Sequence, residues 1–275
     1  MAAQKSEEDG KGMKKTWQDY GREWLDTLVV AISVAMAFRA YFYEPFNIPT
    51  GSMQPTLWGY HTEAGTEKGA WDVWPLSWAK WLWTGETVVD YKAPASGVVR
   101  AQPRNDGFAN IYVGTSKESF KLPTDACAEI VGRSVRKGET VWKGTVATGD
   151  FIFVNRWIWN FRRPRVNDVM IFSTTGIAQD DDGRYVGLDG RRYLVQQETH
   201  YIKRMKATPS QTYELEHPVP GRPATVTMGN DEYFACGDNF NNSLDSRYWG
   251  AVPGSKLRGL GSIVFWPFKG WRIIK

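Results

Sequence analysis

One apolar stretch limits what this chain can fold into. TLVVAISVAMAF, from Thr27 to Phe38, carries no charge. By itself it is shorter than the roughly 20 residues that cross a bilayer. Its flanks lengthen it to Trp24–Phe46. Asp26 lies near one end, and Arg39 near the other can extend its long side chain toward water. Tyr41, Phe42 and Tyr43 suit the membrane–water boundary. A single spanning helix over 24–46 is therefore expected. A helix buried in a soluble core fits the same composition. A cleaved leader fits less well, because no small-x-small site closes the run. Lys11, Lys14 and Lys15 precede the helix, so the N-terminal segment 1–23 is expected on the cytoplasmic side and the remainder on the outer side.

After Pro45 the pattern changes. Short runs rich in β-branched and aromatic residues recur: DFIFVNRW, NDVMIFST, HYIKRM, EYFACGD and GSIVFWPF. Turn residues separate them, which points to a mainly β architecture. Hydrophobic residues make up 42% and charged residues 23% of the 275, enough apolar material for a packed core. The net charge of +4 is spread along the chain, so nucleic acid is not an expected partner. With only His61, His200 and His217 and no CxxC, neither a metal nor another cofactor is expected. Cys127 and Cys236 read as small buried hydrophobes, with a disulfide open to them in an oxidising compartment.

Three stretches carry candidate chemistry. In IPTGSMQPTL, from Ile48 to Leu57, prolines bracket a Gly-Ser pair. Such a stiff turn can project the Ser52 hydroxyl and leave backbone N–H groups free. A serine nucleophile needs a base, and the histidines lie in poor contexts for one. In YIKRM, strand alternation puts Tyr201, Lys203 and Met205 on one face. An ordinary lysine is a poor base at neutral pH, but burial among apolar atoms lowers its pKa. A solvated strand lysine is the plainer reading of that motif alone. In GDNFNNSLDSR, from Gly237 to Arg247, Ser243 could orient an amine and Asp245 could pair with Arg247. An Asx-rich turn explains the same residues.

Taken together and in this order, these motifs resemble bacterial type I signal peptidase, a Ser/Lys serine protease of the inner membrane. PTGSMQPTL resembles its nucleophile motif, and GDFIFVNRW and RVNDVMIF its central strand pair. YIKR resembles its lysine strand and GDNFNNSLDSRYWG its closing motif. The resemblance covers 24–57 and about 148–275. It implies a coiled antiparallel-sheet catalytic domain formed by 47–57 and 148–275. It also implies Ser52 as nucleophile, Lys203 as general base and Thr50 in the oxyanion hole. Ser243, Asp245 and Arg247 would be supporting groups, and Ile48 and Ile202 would line shallow pockets. The implied substrates are signal peptides of exported preproteins, bound as extended strands and cleaved after small residues. Two other readings stay open: a self-cleaving repressor-type protease and an inactive membrane-tethered assembly protein.

The sequence departs from the family in places. Ala207-Thr208-Pro209-Ser210-Gln211 stands where members have Gly-x-Pro-Gly-Asp, and Phe240 stands where a basic residue is common. The largest departure is an insertion over 58–147. Trp71, Trp74, Trp78 and Trp81 are spaced for one helical face, with Pro75 suited to a helix start. That face could lie in the membrane interface or pack on the β core. YKAPASGVVRAQ and VRKGETVWKGTVATGD predict a small β module, similar to biotinyl-type barrels but without a clear modified-lysine motif.

Overall fold

The computed structural model describes residues 16–104, 106–177, 185–186, 192–193, 199–218 and 224–275. The chain divides after Phe42 into a helical unit and a compact β unit. Lys11, Lys14 and Lys15 lie outside the described residues.

The helical unit is α1, Trp17–Tyr41. It starts earlier than the apolar run because Thr16 and Asp19 form a reciprocal cap: the Thr16 backbone donates to Asp19 Oδ2 (2.8 Å), and Asp19 N donates to Thr16 Oγ1 (3.4 Å). Its 25 residues rise about 37 Å at about 1.5 Å each, enough to cross a bilayer core. No residue of α1 is buried, so its apolar side chains lack the protein cover that a soluble core helix has.

The segment expected as one helix over 24–46 is divided. Helix α1 stops at Tyr41, and Tyr43–Asn47 forms strand β1. Pro45 explains the break. It has no N–H to donate, and it disfavours helical geometry at Glu44. Tyr43 and Phe46, expected near or in a membrane helix, pack instead against Phe153 (ring centroids 6.3 Å apart) and His200 (5.5 Å).

The β unit has two parts. The inserted part runs through β2 (His61–Ala64), α2 (Leu76–Thr84), β3 (Glu86–Lys92), β4 (Gly97–Pro103), β5 (Phe108–Val113), β6 (Ser119–Pro123), α3 (Cys127–Ile130), β7 (Ser134–Val135) and β8 (Thr140–Ala147). Its strands form two antiparallel sheets, ordered β2-β8-β3 and β6-β5-β4-β7. Val99, Ile111, Val113, Leu122, Ile130 and Trp142 share one buried cluster that joins both sheets.

The remainder contributes β9 (Phe151–Asn155), β10 (Val169–Ser173), β11 (Tyr185–Val186), β12 (Arg192–Tyr193), β13 (His200–Ala207), β14 (Thr212–Glu214), β15 (Thr225–Thr227), β16 (Glu232–Cys236), α4 (Ser246–Trp249), β17 (Val252–Pro253), β18 (Leu257–Trp266) and β19 (Arg272–Ile273). The main antiparallel sheet is ordered β1-β9-β18-β10-β13-β16-β17, with β19 on β18. GDFIFVNRW and RVNDVMIF were expected to pair directly, but β18 lies between β9 and β10. Their order in the sequence is retained, while the C-terminal strand returns to fill the centre of the sheet.

All five residues of β10 are buried, and its four apolar ones alternate between two cores. Val169 and Ile171 join Ile48, Met53, Leu57 and Val264. Met170 and Phe172 join Met205, Tyr233 and Trp249. A strand covered on both faces has no polar alternation to show, hence the continuous VMIF.

The tryptophan stretch does not make one helical face. Trp71 lies in a short 3₁₀ turn and Trp74 precedes Pro75, where α2 is capped. Trp81 packs on Trp266 with ring centroids 4.8 Å apart, and the Trp266 indole donates to the Leu82 carbonyl (2.9 Å). Trp71, Trp74, Trp78 and Trp83 remain exposed.

Candidate active site

The Ser52 turn is a 3₁₀ helix, Gly51–Met53, entered from β1 through Ile48, whose N–H donates to the Asp150 carbonyl (2.9 Å). Met53 and Leu57 enter the core below and anchor the turn. Asn239 holds it from the other side. The Asn239 N–H donates to the Ser52 carbonyl (3.1 Å) and its side-chain amide donates to the Gly51 carbonyl (3.1 Å). Sequence reasoning missed Asn239; the only signal was its place in the GDN loop. Gly237 lies between the same parts. A Cβ there would meet Ser243 Oγ at 2.2 Å and the Ser52 carbonyl at 2.4 Å.

Strand β13 brings up the lysine. Lys203 is in register with Met170, and cross-strand partners share a face. That face is apolar, with Met170, Phe172 and Met205 in one core. Lys203 is 4% exposed and its Nζ donates to Ser52 Oγ at 2.7 Å; Ser52 is 7% exposed. Burial pushes the Lys203 amine from its ordinary 10.5 down to about 8, against the pull of Asp245. When the ammonium loses its proton, the hydrogen bond can reverse, with Ser52 O–H donating to the amine lone pair. A deprotonated fraction of about a tenth at pH 7 follows from a pKa of 8. Thr50 Oγ1 lies 3.4 Å from Ser52 Oγ.

The closing loop is held by one buried carboxylate. Asp245 accepts from Gly237 N (2.9 Å), Ser243 Oγ (2.7 Å) and Arg247 Nε (2.8 Å) and Nη2 (2.9 Å). Arg247 also donates to the Phe240 carbonyl (3.0 Å), with its guanidinium 5.4 Å from the Phe240 ring. Phe240 thus caps Arg247. Ser243 was expected to orient the lysine. Its proton goes to Asp245, which leaves its lone pairs as the means of meeting an amine.

Arg204, next to Lys203, braces the same region. It pairs with Asp238 (2.7 Å) and donates to Thr56 Oγ1 (3.1 Å), joining β13, the closing loop and the segment after Ser52. The altered turn after β13 keeps a tight geometry: Gln211 N donates to the Thr208 carbonyl (3.2 Å). Ser210 takes φ +63° at the family's second Gly position, a conformation costing a side chain about 1–2 kcal/mol.

A cleft of about 400 Å³ opens over the pair. Pro49, Thr50 and Ser52 line it on one side and Thr199 to Lys203 on another, with Asn242 and Leu244 at the closing loop. β10 pairs with His200–Arg204 of β13 on one side, but among the described residues β16 pairs on the other side only from Arg204 onward. Ile202 lines the cleft. Ile48, expected to do so, lies beneath in the core at 2% exposure. Arg104, Gly107 and Thr124 of the inserted module also line it, which no sequence motif signalled.

Both cysteines are free, and burial holds the Cys236 thiol well above its ordinary pKa. His61 meets the Gly59 carbonyl, and the His217 ring lies tilted against Phe240 with centroids 3.9 Å apart. His200 lines the cleft, where burial and then Arg258 lower its pKa.

The family model for "Signal peptidase, peptidase S26" matches residues 214–266. The probable signal peptidase I-1 of Synechocystis sp. is 30% identical over 145 residues, covering 46% of this chain and 67% of that protein. The probable signal peptidase I-2 of the same organism is 29% identical over 129 residues, covering 45% of this chain and 58% of that protein. Signal peptidase I of Buchnera aphidicola subsp. Schizaphis graminum is 23% identical over 252 residues, covering 89% of this chain and 75% of its own length. With its single N-terminal apolar helix, its curled antiparallel sheet and these relatives, the chain belongs to the membrane-anchored signal peptidase family, peptidase S26.

Proposed function

We propose that this protein is a serine endopeptidase that removes N-terminal signal peptides from exported preproteins. The observation that carries the reading is the buried 2.7 Å contact between Lys203 Nζ and Ser52 Oγ. A lysine whose pKa is near 8 can serve as a base near neutrality. Neutral Lys203 takes the Ser52 proton as Oγ attacks the scissile carbonyl. The Ser52 N–H and the Thr50 hydroxyl, whose Oγ1 lies 3.4 Å from Ser52 Oγ, receive the developing oxyanion. Protonated Lys203 gives its proton to the leaving amine, and an acyl-enzyme on Ser52 remains. Lys203, neutral again, activates the water that hydrolyses it. Asp245, Arg247 and Ser243 hold the loop behind the lysine.

Ile202 and Lys203 line the cleft on a strand whose ladder with β16 starts only at Arg204, which supports an extended peptide as substrate, its alternate side chains entering the cleft. Ile202, which lines the cleft beside Ser52, favours small apolar residues there. Helix α1 crosses the inner membrane once, with the N-terminus in the cytoplasm and the β unit outside. The exposed Trp71, Trp74, Trp78 and Trp83 supply aromatic surface suited to the bilayer interface.

The test is cleavage of a preprotein by the full chain in detergent. Ser52→Ala and Lys203→Ala should each abolish product, and normal turnover by either variant refutes the assignment. Covalent labelling of Ser52 by an acylating inhibitor separates an active peptidase from an inert assembly protein.

A further inference from the structure

The inserted module sends one turn into the cleft, and that turn is braced from several sides. β4 ends at Pro103 and β5 opens at Phe108. Arg104 N donates to the Phe108 carbonyl (2.8 Å), and Arg104 Nε donates to both carboxylate oxygens of Asp106 (3.2 and 3.1 Å). Thr124 donates to the Gly107 carbonyl through its N–H (3.1 Å) and its hydroxyl (3.3 Å). The Phe108 ring lies 4.4 Å from that of Tyr60, and Tyr60 accepts from the Asn47 side chain at the end of β1. Gly107, at φ +83°, lets the turn close on the main site: a Cβ there would stand 2.9 Å from the Pro49 carbonyl. Pro49 precedes Ser52 by three residues. The module therefore forms a wall of the cleft.

Of the Arg104–Asp106 pair on that wall, only Arg104 lines the cleft. Among the described residues, no carboxylate side chain lines the cleft. Lys203 must be neutral to act as a base, and burial favours neutral His200. Among the described lining residues, that leaves Arg104 as the lasting charge. Its partner Asp106 is an exposed neighbour, so a second carboxylate can reach the guanidinium's remaining donors.

Resting on the proteolytic reading above, we infer that Arg104 is a specificity-determining residue that reads charge on the bound peptide. It favours a carboxylate and disfavours an ammonium on the substrate side chain that meets the module wall. Exposed ion pairs of this kind are worth about a two- to fivefold preference.

The test uses the full chain in detergent and preproteins that differ only by Glu, Gln or Lys at successive positions flanking the scissile bond. At one position the wild-type kcat/KM should favour Glu over Lys by about two- to fivefold, shrinking as salt is raised. Arg104→Gln should level that ratio, Arg104→Glu should invert it and Arg104→Lys should keep its direction. A ratio taken within one variant does not depend on how much of the protein is folded. Efficient wild-type cleavage with no Glu/Lys preference at any position, or an unchanged ratio in Arg104→Gln, overturns the role of Arg104 alone. Failure of the wild type to cleave any preprotein overturns the proteolytic reading as well.

Discussion

Replacing Lys203 with Met should make the fold more stable at neutral pH while ending activity. The lysine is 4% exposed and its pKa falls from 10.5 to about 8 because burial disfavours the ammonium. That fall of about 2.5 corresponds to about 3 kcal/mol, at about 1.36 kcal/mol per pKa unit. The folded-state pKa is the lower one, so between pH 8 and 10.5 the unfolded chain binds the extra proton. Stability therefore rises with pH across that window, and the full penalty is present below about pH 8. Methionine has similar reach and no charge to desolvate. Chemical or thermal unfolding of the detergent-solubilised full chain, wild type against Lys203→Met, reads the effect. The variant's advantage near pH 7 should shrink by about 3 kcal/mol as the pH approaches about 11. Packing differences are common to both pH values and cancel in that comparison, as do other titrating groups. A gap between the two proteins that stays flat with pH, or widens as pH rises, refutes the reasoning. The same titration should appear in wild-type hydrolysis. With about one molecule in eleven neutral at pH 7, kcat/KM should rise about tenfold to a plateau above pH 8.

Asp245→Asn should destabilise the fold by about 3–5 kcal/mol in denaturant unfolding, because it leaves Arg247 buried without its counter-charge. In whatever folded fraction remains, the midpoint of the pH–rate curve should move down, since the Asp245 charge works to raise the Lys203 pKa. Thr50→Val should lower kcat by about a hundredfold with little change in KM, the signature of a lost transition-state donor. Thr50 is exposed, so its melting temperature should stay near that of the wild type.

Much of the candidate site's geometry was legible because it is local. Strand alternation in YIKRM sets Lys203 and Met205 on one buried side, and Asp245 and Arg247 stand two residues apart in one loop. The prolines and Gly51 mark the Ser52 turn without reference to the rest of the chain. The less legible features depend on partners distant in sequence. Asn239 secures the Ser52 turn across 188 positions, a contact that no periodicity records. Ile48 reads as a pocket residue, yet the closing of β1 on β9 places it in the core.

The inserted module shows the same division. Its tryptophan spacing suits a helix, but Pro75 admits one only after Trp74. What the sequence determined alone was the single apolar helix, the β character of the remainder and the residue types able to act as nucleophile and base. Each follows from composition or from a short-range period of the backbone. Tertiary structure alone decided that Lys203 would be dry enough to lose its proton, that β18 would part β9 from β10, and that Arg104 would enter the cleft. Burial and long-range pairing depend on which segments meet, and those meetings are fixed by the packing of the whole β unit.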